Sequence, residues 1–338
     1  MINGIHDFYT RKNILVTGGN GYLGSNLISI LKSIDCKITI LDRITGQHLE
    51  GKHTAEIREC ICDIRDPDIW DEILDGIDLI FYFAGQTSVY KANENPNDDF
   101  AINVQPLFNL LEACRKHTWK PGILFSGTVT ENGIPEKLPV NEMFPDKPVT
   151  VYDLHKLIAE HYLKYYSNRG IVQAAILRLA NVYGPGPLST NADRGILNMM
   201  VRRALNGEDL TLYGDGNFLR DYIFIDDVIN AFLLSAMHLG IVNGKHFIVA
   251  SSVSHTIREA FEIVIENVQS ITNRNVKLIS VKPPENLSPI ESRNFVADIR
   301  SFTNSTGWLP ETSLNDGIIA TIKFYNENNT SNSNLFRG

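Results

Sequence analysis

The sequence predicts an α/β fold built on a doubly wound parallel sheet, and three observations lead to that expectation. Short β-branched runs alternate with longer amphipathic stretches through the first half of the chain, a pattern that strand–helix–strand crossovers produce. A glycine-rich turn follows the first of those runs and opens an amphipathic stretch. With 338 residues the chain is long enough for one large core and a smaller attached lobe.

Taken in order, the alternation places a strand over 13–17, a helix over 23–33, a strand over 37–41, a short amphipathic stretch over 70–74 and a strand over 79–84. A helical pattern covers 101–117, and strands over 122–126 and 173–179 flank a helix over 152–167, extending the sheet. Near residue 180 the texture changes to the turn-rich Tyr183-Gly184-Pro185-Gly186-Pro187. Residues 222–237 then read as a strand and helix returning to the core. The expected organisation is therefore a core of 1–180 and 222–250 with a discontinuous α/β lobe of 181–221 and 251–325. Residues 326–338 are polar and aperiodic and are expected to be disordered.

Composition excludes several functions. A formal net charge of −8 argues against a generally basic nucleic-acid surface. The four cysteines are Cys36, Cys60, Cys62 and Cys114, and Cys60-Ile61-Cys62 has poor zinc-ligand spacing with no second pair, so reduced thiols and no metal site are expected. The first residues lack a charged-then-apolar leader, and no apolar run approaches the ~18 residues of a membrane span. A cytoplasmic location without membrane contact is the expectation.

The turn Val16-Thr17-Gly18-Gly19-Asn20-Gly21-Tyr22-Leu23-Gly24 sits between an expected strand and an expected helix. Glycines at 18, 21 and 24 allow a tight turn, close approach of backbone to a pyrophosphate, and tight helix packing, while the helix N-terminus offers free amides to the phosphates. The next strand ends, 18 residues beyond Gly24, in Asp42, whose carboxylate suits the ribose hydroxyls of adenosine and would repel a 2′-phosphate. NAD is expected rather than NADP, although the neighbouring Arg43 could clamp that phosphate.

Tyr152-Asp153-Leu154-His155-Lys156 puts a phenol and an ammonium on one helix face. An ordinary tyrosine pKa of ~10 is too high for a general base at neutral pH, and a lysine cation nearby favours the phenolate.

With these residues in place, the chain resembles the extended short-chain dehydrogenase/reductase family, in its nucleotide-sugar epimerase and dehydratase branch. The matches occur in family order over residues 12–325: the glycine loop, Cys62-Asp63-Ile64-Arg65-Asp66, Phe83-Ala84-Gly85-Gln86, Asn95-Pro96 with Asn103, Phe125-Ser126-Gly127-Thr128, Tyr152 with Lys156, Arg178-Leu179-Ala180-Asn181-Val182-Tyr183-Gly184-Pro185, and Gly214-Asp215-Gly216 before Arg220-Asp221-Tyr222. The resemblance implies a Rossmann-like sheet with a substrate lobe, and a homodimer pairing the 101–117 and 152–167 helices. It also implies a catalytic set of Thr128, Tyr152 and Lys156, with the Thr128 hydroxyl bonding the reacting sugar oxygen.

The implied cofactor contacts are Gly18, Asn20, Gly21, Tyr22, Leu23, Gly24, Asp42 and Arg43, with Asp63 and Ile64 at the adenine. Phe83, Ala84, Gly85, Gln86, Asn103, Ser126, Leu179, Asn181 and Val182 join them, as do Tyr152 and Lys156. The implied contacts to a nucleotide-diphosphate sugar are Thr87, Ser88, Thr128, Asn181, Leu197, Tyr213, Arg220 and Arg293, the two arginines gripping its diphosphate or ribose. Two departures stand out: Asn132 replaces a tyrosine that most relatives carry, and Tyr82-Phe83 replaces a common His-Leu.

Within this branch, dehydratases need an Asp-Glu pair just after the catalytic threonine, and decarboxylases keep a glutamate there. Here Thr128 is followed by Val129-Thr130. The expectation is a NAD-dependent epimerase acting at carbon 4 through a transient keto-sugar. The alternatives are a 4-ketoreductase using NAD(P)H, then a 4,6-dehydratase, then a non-catalytic NAD-binding regulatory protein.

Overall fold

A computed structural model describes residues 4–46, 52–187 and 195–335. Twelve strands are found among these residues: β1 (Asn13–Thr17), β2 (Lys37–Asp42), β3 (Glu56–Ile61), β4 (Leu79–Tyr82), β5 (Gly122–Thr128), β6 (Gln173–Leu179), β7 (Asn181–Tyr183), β8 (Leu210–Tyr213), β9 (Leu219–Phe224), β10 (Lys245–Val249), β11 (Ser254–Thr256) and β12 (Leu278–Val281). The principal helices are α1 (Tyr22–Leu31), α2 (Val89–Glu94), α3 (Pro96–Asn103), α4 (Gln105–His117), α5 (Val151–Asn168), α6 (Ile196–Leu205), α7 (Ile225–Met237), α8 (Ile257–Thr272) and α9 (Leu314–Leu335).

Seven strands form a parallel sheet in the order β10-β6-β5-β4-β1-β2-β3. Chain order reverses beside β1, and in such sheets the crevice beyond the carboxyl ends of the strands at that point is where dinucleotides bind. The central strands are largely apolar, as strands covered by helices on both faces require. Side-chain alternation assigns the faces: Ile14 and Val16 of β1 join a cluster with Leu27, Leu31 and Phe232, while Leu15 joins one with Trp70, Leu110 and Leu163. Each such fully buried aliphatic side chain contributes about 1.5–3 kcal/mol of transfer free energy.

The remaining strands make smaller sheets. Strand β9 pairs parallel with β7 and antiparallel with β11, and β12 pairs parallel with β8. The strand in the stretch read as returning to the core therefore pairs outside the main sheet. Its helix α7 does pack on the core, and the strand that joins the sheet is β10 beside β6.

Two local expectations change. The helix read over 101–117 is two helices, α3 and α4, that meet at Val104, because Pro106 lacks the amide that would continue the first one. The stretch from 326, read as disordered, continues α9 as far as Leu335. Leu314, Ile318, Ile322 and Tyr325 bury one face of that helix, and helix propagates readily from a packed start. Residues 336–338 lie outside the described residues.

Candidate active site

The glycine loop turns as its residue types require. Gly18 adopts φ +67°, and a Cβ there would lie 2.8 Å from the Ala84 amide nitrogen, so the loop and the end of β4 meet backbone to backbone. A Cβ on Gly24 would lie 2.3 Å from the Gly18 carbonyl oxygen. Gly21 caps α1, with Tyr22 and Leu23 in the first turn of that helix. The Tyr22 hydroxyl donates to the Gly184 carbonyl at 2.9 Å, tying α1 to the turn where the chain leaves the main sheet.

At the end of β2, Asp42 accepts the Asn20 amide at 2.9 Å and the Arg43 amide at 2.7 Å, so backbone donors fix its carboxylate beside the loop. Arg43 is exposed. The Arg65 guanidinium, 2.6 Å from Asp63, holds that carboxyl below the usual range against the opposing effect of burial. Ile64 is buried in the core. The glycine cradle, which side chains would fill, and the anchored carboxylate together fit a dinucleotide with a free ribose 2′-hydroxyl.

Residues 83–87 follow β4. Phe83 packs edge-on against Phe232 and, with Ala84, donates its amide to the Thr17 hydroxyl. Gln86 bonds Asn103 through its backbone in both directions, at 3.1 and 3.0 Å. Thr87 is exposed, and Ser88 is the buried cap of α2.

Thr128 ends β5, buried, with its hydroxyl 2.8 Å from that of Thr130. Ser126, two residues earlier, donates weakly to the Tyr82 carbonyl. Helix α5, capped by Thr150, carries both Tyr152 and Lys156 as buried residues. The Tyr152 ring clusters with Val89, Ala92 and Ile290, and the Lys156 ammonium lies 4.0 Å from the centroid of Phe125 on β5. The carboxyl end of β5 and α5 thus bring the three expected catalytic groups to one end of the sheet.

Leu179 closes β6, and Asn181 and Val182 begin β7. Arg293 donates to the Asn181 side chain at 3.3 Å, and Arg220 donates to the backbone carbonyls of Arg293 and Glu291, the latter at 2.7 Å. Both guanidinium groups are buried and joined to the segment 289–293. Leu197 is buried in the core on α6, and Tyr213 is exposed at the end of β8. Tyr82 stacks on Trp70 inside the core, and Asn132 is buried beside Asp146.

Two polar networks lie beneath these groups that sequence reasoning did not find. In the first, the Glu131 carboxylate accepts the Thr128 amide at 3.0 Å and pairs with Arg178 at 3.1 Å. Glu160 and Asp146 bind the same guanidinium at 2.8 and 2.6 Å. Burial, then the charge of Glu160, raises the Glu131 pKa. Burial opposes ionisation of Glu160 too, but its bonds to Arg178 prevail and hold it at about 2. In the second, Asp99 joins Asn103, Gln86 and His155. No sequence signal ties Glu131, Asp146 and Glu160 to Arg178, or Asp99 to His155, because the partners in each pair come from different segments of the chain.

Strand order, glycine loop and the Tyr–Lys helix define a dinucleotide-dependent enzyme of the Rossmann type. Residues 14–250 match the NAD dependent epimerase/dehydratase family, and this chain belongs to it. It is 31% identical over 94% of its length to a putative UDP-glucose 4-epimerase of Methanocaldococcus jannaschii, covering 99% of that protein. The crystal structure of UDP-glucose 4-epimerase with UDP-glucose from Thermotoga maritima superposes with a TM-score of 0.83 at 26% identity, over 94% of this chain and 99% of that one. A Thermus thermophilus UDP-glucose 4-epimerase in complex with NAD superposes at 0.79, also at 26% identity, over 93% and 99%.

Proposed function

We propose that this chain is a NAD-dependent epimerase that inverts carbon 4 of a nucleotide-diphosphate hexose through a transient keto-sugar. The carrying observation is the state of Glu131, the first carboxyl after Thr128. It is fully buried and bound to Arg178 and the Thr128 amide, so it serves the backbone and offers nothing to an elimination at the sugar. Thr128, Tyr152 and Lys156 remain, and they suffice for reversible oxidation at one carbon. Tyr152 takes the proton of the carbon-4 hydroxyl and later returns it, Thr128 hydrogen-bonds the same oxygen, and the Lys156 cation favours the phenolate. Bound NAD supplies the hydride acceptor and donor. Asp42, the glycine loop, Ala84 and Gly85 hold it, and Arg220 and Arg293 are the cations assigned to the diphosphate or ribose of the sugar nucleotide. The folding units proposed are residues 1–180 with 222–250 and residues 181–221 with 251–325.

The outer faces of α4 and α5 leave Phe108, Leu154 and Tyr165 exposed, which supports a homodimer across these helices. The free thiols of Cys36, Cys60, Cys62 and Cys114 suit a cytoplasmic enzyme. No helix of the described residues is long and apolar enough to cross a membrane.

The test is to incubate the purified protein with UDP-glucose, without added reductant, and to separate the products by chromatography. UDP-galactose formed with no net change in nicotinamide absorbance is expected. Consumption of reduced cofactor with a 4-keto-6-deoxy sugar nucleotide, and no isomerisation of any parent hexose, would sink the proposal in favour of a ketoreductase.

A further inference from the structure

Helix α5 carries a buried ionisable group for which the proposed chemistry has no use. His155, next to Lys156, is 8% exposed, and its Nδ1 lies 2.6 Å from Oδ2 of Asp99 on α3, itself 1% exposed. The other oxygen of Asp99 accepts two amide donors, Gln86 Nε2 at 2.7 Å and Asn103 Nδ2 at 2.9 Å. Asp99 thus joins two amide donors through one oxygen and the His155 ring through the other. Asn103 in turn clasps the backbone of Gln86 from both sides, and its Oδ1 would lie 2.7 Å from a Cβ on Gly85. The His155 and Phe100 rings also pack edge to face, with centroids 5.5 Å apart.

We propose that Asp99 and His155 are positioning residues that lock the cofactor loop over 83–86 to the helix bearing Tyr152 and Lys156. The chain of bonds runs from α5 through His155, Asp99 and Asn103 to the Gln86 backbone, so the proton-transfer groups and the loop facing the nicotinamide move as one body. Hydride transfer depends on that registration, since a displacement of about 1 Å between reacting groups can cost on the order of a hundredfold in rate. The proposal rests on the dinucleotide reading of the site.

Holoenzyme variants test it through release of the reduced cofactor, followed by its fluorescence, and through the kcat and KM of epimerisation. Asp99→Asn and His155→Ala are expected to release cofactor about tenfold faster, as for one lost buried hydrogen bond, and to lose kcat in step, with the KM for sugar nucleotide within about twofold. His155→Asn places a donor where Nδ1 stood and should restore most of both properties, whereas His155→Gln places it one methylene further and should not. Well-folded Asp99→Asn and His155→Ala proteins with wild-type release and kcat would overturn the proposal, as would equal behaviour of His155→Asn and His155→Gln. If His155→Ala does not fold, that last comparison decides. A wild-type protein that holds NAD but isomerises no sugar would refute the epimerase reading and leave the release comparison intact.

Discussion

Tyr152 can be removed at the cost of one oxygen atom, and its ring keeps the packing it has against Val89, Ala92 and Ile290. Tyr152→Phe is therefore expected to cut turnover by about 10²- to 10⁴-fold while the purified protein still carries NAD through gel filtration. Turnover near the wild-type rate would rule out the proton-transfer role. A pH effect belongs to His246, on β10. Burial lowers its pKa to about 4, with Glu160 pulling the other way and Arg178 and Lys164 adding to the lowering. Its folded value lies below the ordinary ~6.5, so between those limits the unfolded chain binds a proton that the folded one refuses. His246 thus destabilises the fold as pH falls through that window, by about 2 kcal/mol at pH 5. Thermal melts of His246→Asn and wild type from pH 7 to 5 should show the wild type losing more stability. Parallel pH curves would contradict this. At this scale the sequence revealed residues that belong to contiguous motifs, such as Tyr152 with Lys156, or Gly18 with Gly21 and Gly24. Asp99, His155, Glu131 and Glu160 were invisible because their meaning lies in partners from other segments.

Elements were easier to read than their ends. Strands buried on both faces, such as β1 and β6, announce themselves as apolar runs, whereas β3, an edge strand with the mixed sequence Glu56-Ile57-Arg58-Glu59-Cys60-Ile61, carries no such run and was not foreseen. The α3–α4 break turns on Pro106, and the pairing of β9 outside the main sheet depends on tertiary contacts that no local pattern encodes. The glycine loop is the element most sensitive to substitution. Gly24→Ala would drive a methyl group against the Gly18 carbonyl and the Gly19 backbone, costing on the order of 1–3 kcal/mol. Such a protein should melt a few degrees lower and gain no thermal stability from added NAD. Undiminished stabilisation by NAD in a thermal-shift series would show that the loop tolerates the methyl group and that its cradle does not hold the phosphates.

For the whole molecule, the exposed faces of α4 and α5 make association the expected state. Light scattering at micromolar concentration should give twice the chain mass, and the double substitution Leu154→Glu, Tyr165→Glu should give a monomer. A wild-type monomer would leave Phe108, Leu154 and Tyr165 as isolated surface residues. The order of strands in the sheet also sets a timetable for synthesis. Strand β6 is flanked by β5 on one side and by β10 on the other, and β10 ends at Val249. A nascent chain that has just released β6 from the ribosome must wait for residues 180–249, roughly 3.5 to 14 s at 5–20 residues per second, before the edge can be covered. Throughout that interval the largely apolar strand over 174–179 offers an open row of amides and carbonyls to any neighbouring chain. A fragment stopped at residue 180 is accordingly expected to sediment as aggregate. Slowing translation over 180–249 should lower the soluble yield of the full chain, although the finished protein would be identical.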